Sequence, residues 1–341
     1  MRVYSLPDNI QEAIGKAVSS LGADLGDSKT IATCIKKLSD FFIQNPDGQT
    51  PWEQDWAQIA YVAYYFPLNF LRNQSVVAEA KRQNFFTGIE TAVDFGTGLT
   101  SAATAILLES QKIEFSLIER SRVPEKIAEQ FFLPKESKRQ WNPPQFAKRN
   151  HDLSVFSYSL TELKNIPDWA WNAKALMIVE PSTQQDGRIL LSLREELIKN
   201  GFSILAPCTH QLACPMLTHS KNDWCHDRIH FNAPPWFLEF EKHLPFRNRT
   251  LTMSYLLASK KPPVSAMHEK IARTTGDLMN EKGKSRQMIC RGTEREFLAW
   301  MHKAGAPQEI PRGVLVEIPS SSKKVSNEIR LEQEIKEIVS I

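Results

Sequence analysis

The sequence contains no hydrophobic run of membrane-spanning length. Its first residues, MRVYSLPDNIQEAIGKAVSS, lack the apolar core of a secretory signal and carry acids early. No membrane attachment is expected, and a cytoplasmic, reducing location is. An excess of one charge is also missing: 42 Lys and Arg against 39 Asp and Glu leave a net charge of +3, too little to announce a nucleic-acid partner. Cysteine is scarce, with five in 341 residues, and five is an odd number. In a reducing compartment this argues against structural disulfides and in favour of metal binding or catalysis. No internal repeat is visible. What is present is 42% hydrophobic and 24% charged residues, enough for full globular cores, in a chain long enough for about two domains.

Residues 1–85 read as an N-terminal helical domain. SKTIATCIKKLSDFF carries apolar residues at helical spacing, with Ser28 as its cap and Cys34 on the buried face. NPDGQTP (45–51) is a turn cluster, and an aromatic-rich helix follows, interrupted near Pro67. The period then changes. TAVDF (91–95), IEFSLIER (113–120), HDLSVFSYSLTEL (151–163), ALMIVEP (175–181) and GFSILAP (201–207) read as successive strand units, numbered one to five, with helices between them. LTMSYLLAS (251–259) is a later strand. Strands alternating with helices predict a parallel α/β sheet over residues 86–261. Residues 262–341 form a C-terminal extension of polar helix and β-like pieces, ending in a charged amphipathic helix, NEIRLEQEIKEIVSI.

VDFGTGLTSAA is a strand–turn–helix of the kind that meets a cofactor in an open α/β sheet. Gly96 and Gly98 permit a tight turn and close approach of the backbone to a ligand. The dinucleotide pattern needs glycine at 101, where Ser101 stands. The methyltransferase pattern puts an acid two residues before the first glycine, and Asp94 is there. Glu119, ending the second strand, is placed to accept both ribose hydroxyls. Asp94, Gly96, Gly98 and Glu119 therefore favour S-adenosylmethionine over a dinucleotide. The usual third glycine is Thr100.

Three of the five cysteines lie in APCTHQLACPMLTHSKNDWCHDR (206–228). Cys208, Cys214 and Cys225 are spaced C-x5-C-x10-C, unlike the C-x2-4-C knuckle of a structural zinc site. Cys290 is the one remaining cysteine outside a core helix, and it would complete a four-thiolate site for zinc or a [4Fe–4S] cluster. His210 or His226 would be the replacement for a thiolate. Pro215 follows Cys214 and restricts the backbone there.

EPSTQQDGRILLSLREELI, ILAPCTHQLACPM, DWCHDR, LTMSYLLASK and EKGKSRQMICRGTE occur in that order. The chain thereby resembles the family of methyltransferase-like proteins of the mitochondrial small ribosomal subunit, which has bacterial members regarded as rRNA methyltransferases. The resemblance runs from about residue 60 to 318. It implies a Rossmann-like methyltransferase sheet with a cysteine-rich metal-binding insertion. It further implies an iron–sulfur cluster on Cys208, Cys214, Cys225 and Cys290, and association with the small ribosomal subunit and its rRNA. The family's E-P-G-T reads Glu180-Pro181-Ser182-Thr183 here, and its W-C-H-F reads Trp224-Cys225-His226-Asp227.

Two functions stay open. One is an S-adenosylmethionine-dependent rRNA methyltransferase; the other is a non-catalytic assembly factor that keeps the methyltransferase fold. A nitrogen methylase would need N/D-P-P-Y/F after its fourth strand, and Glu180-Pro181-Ser182-Thr183 stands there in the present count. Glu180 is the only candidate catalytic group, with a capping carboxylate as its alternative role. A basic bias after residue 247 (RTLTMSYLLASKKPP, MHEKIART, MNEKGKSRQMICRGTERE) suggests Lys260, Lys261, Lys282, Lys284 and Arg286 as phosphate contacts. A monomer is expected.

Overall fold

The computed structural model describes residues 1–45, 48–163, 165–262 and 270–338. Parts of the NPDGQTP turn, of MHEKIART and of the final segment lie outside them. The order of elements begins with a short strand β1 (Val3–Tyr4) and helices α1 (Asp8–Ser20), α2 (Ser28–Gln44), α3 (Asp55–Ala60) and α4 (Phe66–Arg82). Asp27, not Ser28, caps α2, and its carboxylate accepts from Thr30 N at 3.2 Å. Helices α3 and α4 are joined by a π-helical turn, Tyr61–Tyr65. That turn sits directly before Pro67, whose missing N–H and ring would otherwise disrupt a continuous α-helix.

The sheet follows as β2 (Thr91–Phe95), β3 (Glu114–Ile118), β4 (Arg139–Trp141), β5 (Leu153–Ser157), β6 (Ala175–Glu180) and β7 (Ser203–Ala206), then β8 (Asp227–Phe231) and β9 (Thr250–Ser259). Between them run α5 (Ser101–Glu109), α6 (Arg122–Phe131), α7 (Leu160–Leu163), α8 (Gln184–Lys199), α9 (Pro215–Thr218) and α10 (Pro235–Glu241). Strands pair in the order β4-β3-β2-β5-β6-β9, the first five mutually parallel and β9 reversed. The far edge of β9 carries β8 along its first half and β7 along its second, and β1 adds to β8. This is the Rossmann-like α/β sheet the sequence predicts.

Both sheet faces are covered, so the strands are apolar throughout. In β6, Met177 and Val179 enter the core shared with the N-terminal helices, while Leu176 and Ile178 pack with Leu190 and Leu197 of α8 on the other face. The N-terminal helices therefore share one continuous core with the sheet. Asn73 on α4 adds polar stitches, donating to Ser101 Oγ at 3.3 Å and Ser157 Oγ at 3.0 Å.

The C-terminal extension differs from the expected mixture of helix and strand. It forms a second sheet from β10 (Ile271–Glu281), β11 (Lys284–Cys290), β12 (Glu296–Met301), β13 (Leu315–Glu317), β14 (Lys323–Val325), β15 (Glu328–Arg330) and β16 (Lys336–Ile338). The predicted terminal helix is replaced by β15 and β16. Ile329 and Leu331 alternate into the core of this sheet, and pairing with β12 and β13 overrides a charged pattern that suits a helix. Buried Arg273 fixes the second sheet to the first unit through Glu79 at 2.7 Å, both side chains being at most 2% exposed.

Candidate functional site

The strand order reverses at β2, whose neighbours β3 and β5 lead to opposite edges of the sheet. Ligands of such sheets bind beyond the carboxyl ends of the strands at that point. Here β2 ends in the glycine turn. Gly96 N and Thr97 N both donate to Ile118 O, at 2.9 and 3.1 Å, tying the turn to the end of β3. Gly96, Gly98 and Thr100 all have left-handed backbones, with φ of +68°, +51° and +61°. Thr100 thus adopts the conformation the missing third glycine would supply. A Cβ on Gly96 would stand 2.8 Å from Ser159 Cβ, so the glycine lets the loop after β5 close on the turn.

Glu119 lies where the sequence places it. Its Oε2 accepts from Gly98 N at 3.1 Å, and its Oε1 from Arg120 N at 2.8 Å and Ser121 N at 3.1 Å. A carboxylate has about four acceptor sites, so these three donors leave one site open, on Oε2. Asp94 lies beneath the turn, 1% exposed. Thr97 Oγ1 donates to its Oδ2 at 2.7 Å, while Oδ1 is buried without a hydrogen-bond partner. Burial raises its pKa to about 6 against the lowering effects of the Thr97 hydroxyl and the Ala103 N–H. Trp52 and Tyr61 wall the turn from the N-terminal side, 3.9 and 3.8 Å from where a Gly98 Cβ would stand. Burial pushes the Tyr61 phenol up to about 12. In the sequence these two stand only as members of an aromatic-rich segment.

Strand β4, which the sequence reading did not identify, changes the count of strands. The fourth parallel strand is β5, and the loop that follows it is Ser157-Tyr158-Ser159-Leu160, not Glu180-Pro181-Ser182-Thr183. Tyr158 there has φ +59°, and the Arg72 guanidinium stands 5.8 Å from its ring centroid. Glu180 ends β6 instead. Its Oε1 accepts from Leu160 N, the first residue of α7, at 2.9 Å.

The cysteines come from four loops and strand ends. Cys208 follows β7, Cys214 precedes α9, Cys225 precedes β8 and Cys290 ends β11. Helix α8 organises the first three. Arg194, fully buried, donates through Nε to Cys208 Sγ at 3.0 Å and through Nη2 to His210 O at 2.7 Å. Glu195 accepts from Cys214 N at 3.1 Å, and Arg188 Nη1 from the same helix donates to Asp223 O at 2.8 Å. Trp224 docks against Gly187, where a Cβ would meet its ring at 2.4 Å, and donates to Ser182 O at 2.8 Å. Across the junction, Thr209 Oγ1 donates to Cys290 O at 3.1 Å, and His210 Nε2 lies 3.4 Å from Cys290 Sγ.

The thiols also sense one another. Burial first, and then the neighbouring cysteines, raise Cys214, push Cys225 up to about 12 and raise Cys290 well above its ordinary value. The structure therefore gathers the four cysteines named from the sequence into one neighbourhood. Among the described residues, no three Cys, His, Asp or Glu side chains are grouped so as to hold a single metal ion. Of the replacement ligands, His210 faces Cys290 and His226 faces Arg312. Burial lowers both imidazoles to about 4. Cys34 is packed against the core of the N-terminal helices.

The proposed phosphate contacts are mostly engaged. Lys260 Nζ donates to Trp171 O and Lys261 Nζ to Thr87 O, each at 2.8 Å. Lys284 and Arg286 pair with Glu281 and Glu328, while Lys282 is exposed at the β10–β11 turn. Among the described residues no helix is long and apolar enough to cross a membrane.

Known proteins resemble this chain over part of its length. The human mitochondrial ribosome assembly protein METTL17 is 27% identical over 192 residues, which cover 47% of this chain. The chain spans only 41% of the length of that relative. Among solved structures, the precorrin-6y C5,15-methyltransferase of Geobacter metallireducens matches at 11% identity and a TM-score of 0.35, over 54% of this chain and 86% of its own. The 16S rRNA methylase ArmA matches at 13% identity and a TM-score of 0.32, over 55% and 85%. The model of the family described as mitochondrial small ribosomal subunit Rsm22 matches residues 55–295, from α3 through the cysteine loop to the segment after Cys290. That match takes in most of the chain, and the protein belongs to the Rsm22 family.

Proposed function

We propose that this protein acts in assembly of the small ribosomal subunit, binding S-adenosylmethionine at the Gly96–Gly98 turn. The observation that carries the cofactor is the left-handed Gly96–Gly98 turn at the point where the strand order reverses, with Gly98 N–H meeting Glu119. Asp94 would fix the turn, Gly98 N–H and Glu119 would take the ribose side, and Trp52 with Tyr61 would exclude water. Bound there, the cofactor would supply a methyl group. Isothermal calorimetry should show binding to the wild type, none to Gly96→Val, and weakening of at least tenfold in Glu119→Ala. No heat with the wild type would refute cofactor binding.

The non-catalytic reading is favoured because the loop after β5 offers Ser157, Tyr158 and Ser159 and no Asp or Asn, while the Glu180 carboxylate caps α7. The catalytic reading rests on the cofactor turn alone. Transfer of label from radioactive cofactor to small-subunit precursor particles would decide for the enzyme; its absence, with cofactor bound, for the assembly factor.

For the cysteine centre we propose a [4Fe–4S] cluster on Cys208, Cys214, Cys225 and Cys290. Four soft donors in one neighbourhood, with the buried Arg194 cation beside Cys208, suit an anionic thiolate-bound cluster. Anaerobically purified protein should carry iron and sulfide and absorb in the visible. Each Cys→Ser change at these four positions should lose the iron, and Cys34→Ser should retain it. Stoichiometric zinc in place of iron would overturn the assignment.

A further inference from the structure

The basic residues of this chain are not spread as its small net charge suggests. Residues 120–149 hold eight Lys and Arg against three Glu, an excess of five in thirty residues, where the whole chain has only +3. One pair is internal, Arg139 with Glu129. Arg120, Arg122, Lys138, Lys148 and Arg149 are exposed, and among the described residues none of them is in an ion pair.

The fold brings four of these cations, Arg120, Arg122, Lys148 and Arg149, to one corner, while Lys138 lies at the amino end of β4. Among the described residues strand β4 is the outer edge of the sheet and pairs with β3 alone, through Phe115 with Arg139 to Leu117 with Trp141. Arg120 and Arg122 follow β3, next to Glu119. The chain returns at Asn142, whose Oδ1 accepts from Glu119 N at 3.0 Å. Phe146 then anchors the loop against Trp169 and Phe95, with ring centroids 5.4 and 6.3 Å away. This sets Lys148 and Arg149 beside β4, where Arg149 Nη1 lies 3.3 Å from Gln140 Oε1. The charges therefore flank the carboxyl ends of β3 and β4, at the rim of the crevice that the glycine turn lines.

We infer that this rim is the docking surface for the phosphate backbone of RNA. Cations already paired to carboxylates, such as Lys284 and Arg286, gain little from a phosphate, because an ion pair must first be broken. Unpaired, solvated cations release counterions from the nucleic acid at no such cost. An RNA held here would run past the cofactor crevice along an open strand edge. The inference rests on the proposed role with the small ribosomal subunit and names the face that would meet its RNA.

The test is fluorescence anisotropy with a labelled small-subunit rRNA fragment across a range of salt. In the fourfold variant Arg120→Gln, Arg122→Gln, Lys148→Gln, Arg149→Gln, the slope of log K against log salt should become shallower by about 3, at about 0.7 per lost single-strand contact. Melting temperature and cofactor heat should be retained, since all four side chains are exposed. Lys284→Gln with Arg286→Gln should leave the slope nearly unchanged. An unaltered slope in the fourfold variant would overturn the inference while leaving the proposed function intact. Displacement of the RNA by polyglutamate as readily as by unlabelled RNA would reassign the face to an acidic protein. No binding by the wild type at low salt would instead remove the ribosomal reading beneath it.

Discussion

The glycine turn and the cysteine centre are built in opposite ways. At the turn, eleven consecutive residues, VDFGTGLTSAA, fix the geometry through backbone conformation, with three left-handed residues and hydrogen bonds to the adjacent strand. At the cysteine centre, short loops with little secondary structure of their own are held by side chains of α8, by Trp224 and by Thr209. A site made of backbone is readable as a local motif. One made of side chains exists only after packing has brought distant segments together, and it is the more vulnerable to a single distant substitution.

The strongest test of that contrast is Glu79→Gln, which leaves Arg273 buried without its counter-charge at the contact that seats the second sheet. A loss of about 3–5 kcal/mol is expected in denaturant unfolding. Burial alone would raise the Glu79 pKa, but Arg273 and Arg82 outweigh it and hold the carboxyl below its ordinary value. Its contribution is therefore present above the unfolded pKa and lost as pH falls through the lower folded value. The variant should lack that part of the wild type's acid sensitivity. A loss below about 1 kcal/mol would mean that the second sheet docks without this pair.

Asp94→Asn should act in the other direction. A folded pKa raised to about 6 favours folding below the unfolded value and ceases to do so as pH rises through 6. At neutral pH the charged group opposes folding by up to about 3 kcal/mol, so the variant should be more stable without cofactor yet bind it less well. A lower melting temperature at pH 7 would refute this account.

Gly187→Ala should cost about 2 kcal/mol by displacing the Trp224 ring, and should speed alkylation of Cys225 in the metal-free protein. Unchanged Cys225 reactivity would show that Trp224 does not position the loop. The smallest effect belongs to the turn. Thr100→Gly relieves a left-handed backbone but loses the contact with Thr104 Oγ1 at 3.1 Å, and should stabilise by less than about 1 kcal/mol. Clear destabilisation in thermal melts would mean that the threonine side chain, not its backbone, sets the turn.

Much of the α/β unit was legible because its strands are apolar runs with turn signals between them. TAVDF and ALMIVE match β2 and β6 closely. Strand β4 was not, since its three residues, RQW, show neither an apolar run nor alternation. Missing it moved the expected reaction loop one strand too far, from Tyr158 to Glu180. The second sheet was hidden by charged edge strands. Lys336–Ile338 carries no local sign of its distant partner β13, and the hairpin of Lys323–Val325 with β15, turned at Ser326 and Asn327, is too short and charged to stand out. The cysteine set was legible in composition alone. Arg194 and Gly187, which arrange it, look like ordinary residues of an amphipathic helix.

The distance along the chain between Cys225 and Cys290, 65 residues, has a consequence for biosynthesis. At about 5–20 residues per second, Cys290 is translated roughly 3–13 s after Cys225. During that interval the emerging chain can pack its α/β sheet while three thiols wait for a strand not yet made. The nascent protein thus passes through a stage with an incomplete thiol set, open to oxidation or to capture by a chaperone. On the proposed cluster assignment, iron would arrive only after β11 has been synthesised.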